Sequence, residues 1–202
     1  KANNRDYQAK GIQSELHIPA GNHYLTVGVR YHEDEMDRFQ WEDKYTLNQD
    51  LSMTLTSKGL PGSNSNRIDS AEATTLFVHD EWTMDALMVS AGLRYEDITI
   101  NRQEWEKTDP KREGALKKDI SNDTQILIPS LGATYTVNDS LTLLAGIQQG
   151  YAPAAPGNAN QEEEESLNIE FGGRYNVAGF DGEVIAFFSD YDNMHGNCTA
   201  SV

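Results

Sequence analysis

The strongest constraint in this sequence is how its alternating stretches are joined. Every second residue is apolar through most of eight runs, at about 6–18, 23–34, 71–83, 87–104, 124–137, 140–152, 166–177 and 181–194. A period of two is the signature of an extended strand with one apolar face. The links "PAGN" (19–22), "TMDA" (83–86), "VNDS" (137–140) and "VAGFDG" (177–182) are tight and rich in turn residues. The links at 35–70, 105–123 and 153–165 are long and polar. Tight and long links strictly alternate. In an antiparallel meander, successive links lie at opposite ends of the sheet. One end therefore carries only turns, and the other carries all the long loops.

The faces of the strands sharpen this pattern. Leu25, Val27, Val29 and Tyr31 oppose Thr26, Gly28, Arg30 and His32, and Leu87, Val89, Ala91, Leu93 and Tyr95 oppose Ser90, Gly92, Arg94 and Glu96. The same grammar, "VGVRY", "AGLRY", "LGATY" and "FGGRY", recurs at 27–31, 91–95, 131–135 and 171–175. These copies are not propeller blades, because each later interval holds two strands where a blade needs four. Arg30, Arg94, Glu170 and Arg174 on the polar faces would be costly in a packed core. A water-filled lumen accepts them, as does a solvent-exposed face. Tyr31 and Tyr95 end strands that climb from a turn, whereas Tyr135 and Tyr175 lie just before one. The four would form two aromatic girdles at the membrane interfaces.

The fold class expected is therefore all-β: an antiparallel up-and-down transmembrane β-barrel segment. It has about eight consecutive strands, short periplasmic turns and long extracellular loops. Two alternatives stay open. One is a soluble β-sandwich binding module, with Val27, Val29 and Leu93 meeting across a core. The other is a small self-contained barrel, since eight strands can close.

The net charge of −16 argues against nucleic acid as a partner, because a phosphate backbone needs a basic footprint. No apolar run is long enough for a membrane helix, which leaves strand crossings untouched. The opening "KANNRDYQAK" lacks the apolar region of a signal peptide. No catalytic constellation, resident cofactor or metal site is expected. His17, His23, His32, His79 and His195 follow no metal-ligand spacing, and "DYDNMHGN" (190–197) lacks the later ligands of a calcium loop. Glu162–Glu165 reads as a solvated charge run, and the sequons at Asn122, Asn138 and Asn197 carry no meaning in a bacterial outer-membrane protein. Cys198, the one cysteine, reads equally as a free thiol or as half of a disulfide.

A family resemblance rests on the order of several motifs. "PSLGATY" (129–135) precedes the turn "VNDS", and the next strand rises to Gly150-Tyr151-Ala152-Pro153. An acidic strand follows, with Glu164, Glu170 and Gly172, and then an aromatic strand ending Asp190-Tyr191-Asp192-Asn193. Together with "GVRYHEDEMDRFQWEDKY" and "LFVHDEW", this resembles the barrel of TonB-dependent outer-membrane receptors, and most of all the ferric-citrate-receptor branch. The resemblance implies a Gram-negative cell outer membrane and lipid around the apolar face. Its implied partners are a plug domain and the TonB complex, with a ferric chelate (siderophore or ferric citrate) as transported ligand. It casts residues 1–202 as part of one barrel domain, with the plug and the barrel's C-terminal strand absent. Both chain ends would lie on the loop side, as in interior strands of a larger barrel. Cys198 would be half of a loop disulfide whose partner lies outside the chain. An anionic chelate needs guanidinium groups. Arg38, Arg67 and Arg102 near the loops are the implied ligand contacts, with Gln149 and Tyr151 high on the wall. Arg38 has a structural alternative, pairing within "EMDRFQWED". Arg174 and Glu170 would face the plug.

Overall fold

The computed structural model describes residues 2–157 and 161–194. All eight expected strands are present. They are β1 (Arg5–Ala20), β2 (His23–Gln40), β5 (Ser65–Met84), β6 (Leu87–Glu104), β7 (Lys118–Asn138), β8 (Leu141–Ala152), β9 (Glu164–Val177) and β10 (Phe180–Asp192). They form one antiparallel sheet in the order β1-β2-β5-β6-β7-β8-β9-β10. Each strand pairs with its neighbour along the chain, with an excursion of two short strands, β3 (Lys44–Leu47) and β4 (Met53–Ser57), between β2 and β5. No pairing joins β1 to β10, so the sheet is open among the described residues.

The tight turns reduce to two residues each. Gly21 (φ 67°) and Asp85 (φ 48°) occupy the left-handed region that such turns need. At the third turn, the Asn138 side chain accepts the Ser140 and Leu141 amides at 2.9 and 3.0 Å, beside a register shift at Thr136/Asn138. The side-chain oxygen replaces a backbone acceptor, which is why Asn suits this place.

Three expectations needed correction. The strands are longer at the loop end than the alternation suggested: β2 runs to Gln40, β5 starts at Ser65 and β7 starts at Lys118. Backbone pairing does not need an apolar face, so the ladder continues where the apolar rhythm has stopped. Part of the 35–70 link is a second sheet, β3 (Lys44–Leu47) with β4 (Met53–Ser57). Finally, the single layer excludes the sandwich. Val27 pairs with Val78 and Val78 with Leu93, so these residues line one face of one sheet. Val29 and Leu93 remain 44% and 41% exposed.

The register identifies the two faces throughout. Cross-strand partners share a face, so Leu16, Val27, Val78, Leu93 and Pro129 form one apolar row, and Gly28, Phe77, Arg94 and Ile128 form the row on the other side. The "GVRY" arginines Arg30 and Arg94 therefore stand on the face of Gly28, opposite the tyrosines. Arg94 pairs with Glu96, and Arg174 with Glu183 across the β9–β10 hairpin.

One seam interrupts the wall. β7 pairs with β6 from Lys118 to Tyr135, but with β8 only from Ser130 to Asn138. Pro129, which has no amide hydrogen, stands where the β7–β8 ladder ends, as suits a strand edge. Beyond that point β8 parts from β7 and stays paired with β9 as far as Ala152. Tyr151 packs on the inner-face cluster Ala73, Ile98 and Ile100, from β5 and β6. Ala154, just beyond, is buried.

Candidate functional site

At the loop end of the inner face the register builds a row that single strands do not reveal. Arg5 pairs with Arg38, Arg38 with Arg67, Arg67 with Glu104 and Glu104 with Lys118. The next row towards the turns reads Tyr7, Met36, Asp69, Arg102 and Ile120. These two rows thus set Arg5, Arg38, Arg67, Arg102 and Lys118 against Asp69 and Glu104, in a chain of net charge −16.

Asp69, only 7% exposed, holds two of these arginines. Arg67 Nε donates to its Oδ2 at 3.0 Å, and Arg102 Nε to its Oδ1 at 2.5 Å. Arg38 Nε donates to Gln40 Oε1 at 3.0 Å. Its partner does lie within "EMDRFQWED", but it is a neutral amide. Gln40 is itself fully buried. Arg5 Nη1 donates to the Tyr7 hydroxyl at 3.1 Å. Like charges facing each other across strands are destabilising by a few tenths to about 1 kcal/mol per pair. The row is thus a strained concentration of guanidinium groups, and one that an anion would relieve.

The three arginines singled out from the sequence come together here. Tyr151 lies against the apolar residues below them, and the loop after it returns to the row: a Cβ at Gly157 would strike the Arg102 guanidinium. Gln149 stands apart. It shares the parity of Ile147, and its Nε2 donates to Glu165 Oε2 at 3.2 Å beside the seam. A cavity of about 420 Å³ opens there, between Pro129, Leu131, Ile147 and Leu167. Cys198 and His195 lie outside the described residues. Arg5, Tyr7 and Met36 were not foreseen. Their signal was available only as strand pairing, because each is unremarkable within its own strand.

The outer face at the same height is organised differently. Arg112, in the loop between β6 and β7, donates two bonds to Asp37, at 2.8 and 2.6 Å, and one to Asn66 Oδ1 at 2.8 Å. Its guanidinium also lies over Phe39 (5.3 Å) and Trp105 (4.9 Å). Asn66, 1% exposed, returns bonds to the Glu106 and Asp109 carbonyls at 3.2 and 2.7 Å. Asp109 closes the loop by accepting the Gly114 and Glu113 amides at 2.8 and 3.3 Å. Those backbone amides, Gly114 first, hold its carboxyl below the ordinary aspartate value.

The tyrosines fall at two levels. Tyr135 pairs with Leu87, and Tyr95 lies eight residues further along β6. At roughly 3.3 Å per residue, that is about 26 Å along the strand. Tyr31 neighbours the level of Tyr95, and Tyr175, facing Leu141, neighbours that of Tyr135. Between the levels lies an outward band of Val, Leu, Ile and Phe.

An open meander with one apolar outer band, a polar inner face and loops gathered at one end is the wall of an outer-membrane-type β-barrel. The family model "TonB dependent receptor-like, beta-barrel" matches residues 2–201, and the chain belongs to that family. Similar solved structures agree on the fold. The ferric citrate transporter FecA, unliganded, superposes with a TM-score of 0.72 at 19% identity, over 98% of this chain and 29% of that one. The siderophore receptor PiuA from Acinetobacter baumannii gives 0.68 at 13% identity, over 91% and 31%. The closed form of the ferric-catecholate import receptor Fiu from E. coli K12 gives 0.68 at 11%, over 93% and 31%. The chain thus spans less than a third of the length of these receptors. No curated protein sequence matches it.

Proposed function

We propose that the chain is part of the barrel domain of a receptor in a Gram-negative outer membrane, one that imports an iron chelate. Lipid surrounds the apolar band, with Tyr31, Tyr95, Tyr135 and Tyr175 at its two interfaces. A plug domain in the lumen and the TonB complex are its working partners, and the chelate is cargo. The chain supplies wall and outer loops to this machinery. The family match and the likeness to a ferric citrate transporter, FecA, and a siderophore receptor, PiuA, support the reading.

The observation that carries it is the row Arg5–Arg38–Arg67, with Arg102 one step below, at the loop end of the inner face. A cargo arriving from outside meets this part of the wall first. Planar guanidinium forks bind carboxylate or phenolate oxygens bidentately, and each charge-assisted bond contributes about 1.5–3 kcal/mol. The cargo is accordingly an anionic chelate, a class that includes ferric citrate and acidic siderophores.

The test uses the full-length receptor in detergent or nanodiscs. Arg38→Gln with Arg67→Gln should raise the Kd for an anionic ferric chelate roughly a hundredfold, and affinity in the parent should fall steeply with added salt. Unchanged affinity in the double variant would sink the capture role of the row.

A further inference from the structure

We infer that the outer face of the wall carries a lipid site at its turn end, built by Asp80, His23 and Trp82, which takes the primary ammonium headgroup of an aminophospholipid. This rests on the reading of that face as lipid-facing, and adds a site that the transport role does not use. Asp80 stands in a register row that is otherwise apolar. Leu25 and Ala91 flank it, and the row runs on through Leu131, Ile147 and Ile169. The next row towards the turns holds His23 paired with Trp82. Trp82 pairs with Val89, one step from the row in which Leu87 faces Tyr135, so the cluster lies at the turn-side interface. The His23 ring stacks on the Trp82 indole, with centroids 5.4 Å apart and planes 10° from parallel. His23 Nδ1 lies 2.7 Å from Asp80 Oδ2.

An ionised carboxylate accepts hydrogen bonds and cannot donate them, so this contact places the imidazole hydrogen on Nδ1. A neutral imidazole then presents a lone pair at Nε2, which has no partner among the described residues. The second carboxylate oxygen, Oδ1, is buried and also unpartnered. Among the described residues neither row carries a lysine or arginine. A carboxylate beside hydrocarbon with a single neutral donor is costly unless a cation joins it. The side chains of His23 and Asp80 remain 42% and 34% exposed, so a cation reaches their outer edge. The groups gathered there are a carboxylate, an imidazole lone pair and an aromatic ring. All three attract a cation, and two accept N–H bonds. A phosphate would meet only repulsion from Asp80, and a quaternary ammonium has no hydrogen to give Nε2. At this height the outer face meets lipid headgroups, so the cation belongs to a lipid. Trp82, 40% exposed, helps to seat that lipid, because an indole suits the boundary between hydrocarbon and headgroups.

The experiment offers the full-length receptor in detergent an equimolar mixture of phosphatidylethanolamine and phosphatidylglycerol with matched acyl chains, and reads the retained lipid by native mass spectrometry. The ethanolamine lipid should be retained at least about fivefold over the glycerol lipid, and phosphatidylcholine should rank below it. Asp80→Asn, which keeps the shape and removes the charge, should bring that ratio close to one. Asp80→Leu should do the same while Tm holds or rises, because leucine completes the apolar row. Equal retention of the two lipids by the parent would overturn the inference, and so would either variant that keeps the preference. Displacement of the lipid by glycerophosphoethanolamine, the same head without acyl chains, would overturn it too, since the site would then take a free amine. A receptor that stays monodisperse in water without detergent would instead fail the membrane reading, and this inference would fall with it.

Discussion

Arginine is used in two opposite ways at one height of this wall, on the two faces of the same strands. On the outside, Arg112 directs its N–H groups at Asp37 and Asn66 and lies over two aromatic rings. On the inside, Arg5, Arg38 and Arg67 stand in a cross-strand row, with an amide, a phenol and a shared carboxylate as partners. The first pattern holds a loop onto the sheet. The second concentrates charge where it is not fully compensated, and concentrated uncompensated charge is a feature of binding surfaces. The chemistry of the side chain is identical; the completeness of its partner set distinguishes the roles.

The sharpest way to break this contrast is to remove both kinds of arginine separately. Arg38→Gln with Arg67→Gln should cost about two orders of magnitude in chelate affinity with little loss of thermal stability, because it also relieves like-charge repulsion. A large fall in Tm would make the row structural. Arg112→Ala should do the reverse. It removes the partner of Asp37 and Asn66, and should lower the local stability of residues 105–117 by about 1–3 kcal/mol while leaving chelate affinity unchanged. Hydrogen exchange across that loop reads the effect directly; unaltered exchange would show that the clamp is idle.

A smaller change probes the link between the two sides of the row. Gly157 has φ +107°, and a Cβ there would push against the end of Arg102. Gly157→Ala should therefore shift affinity only about threefold, since the long arginine side chain can give way. A hundredfold loss would mean that the loop itself touches the ligand. The smallest effect belongs to pH. The carboxyl of Asp109 titrates lower in the folded loop than its ordinary value of 3.8. The stability it lends is complete above that value and is lost as the pH falls through the lowered one. Protection of the Gly114 and Glu113 amides should hold at and above the ordinary aspartate value and weaken only as the pH falls below it. Early loss, near pH 5, would show that the amides are held by something else.

Some of this was legible before any coordinates. Period-two alternation with turn residues such as Gly21, Asp85 and Asn138 marks each strand and each hairpin, because both are local properties of the chain. Parity assigned Arg30 and Arg94 to the face of Gly28 for the same reason. The signal failed where water bathes both faces. Residues 35–40 carry charge on both sides and residues 65–70 carry polar groups on both, so nothing in their pattern told strand from loop, and the hairpin β3–β4 was missed along with them. The site was half legible: Arg38, Arg67 and Arg102 could be nominated as cations near the loops, but nothing local joined them.

The sequence by itself thus determined the strands, their two faces, the segregation of the loops and the two levels of tyrosine. Each follows from side-chain alternation and turn chemistry within a few neighbouring residues. Only the tertiary structure decided that Arg5 faces Arg38 and Arg38 faces Arg67, that Tyr7 and Met36 lie beneath them, and that Arg112 is a clamp. Those facts depend on register between strands far apart in the chain. A shift of one residue there would turn every one of these side chains to the other face.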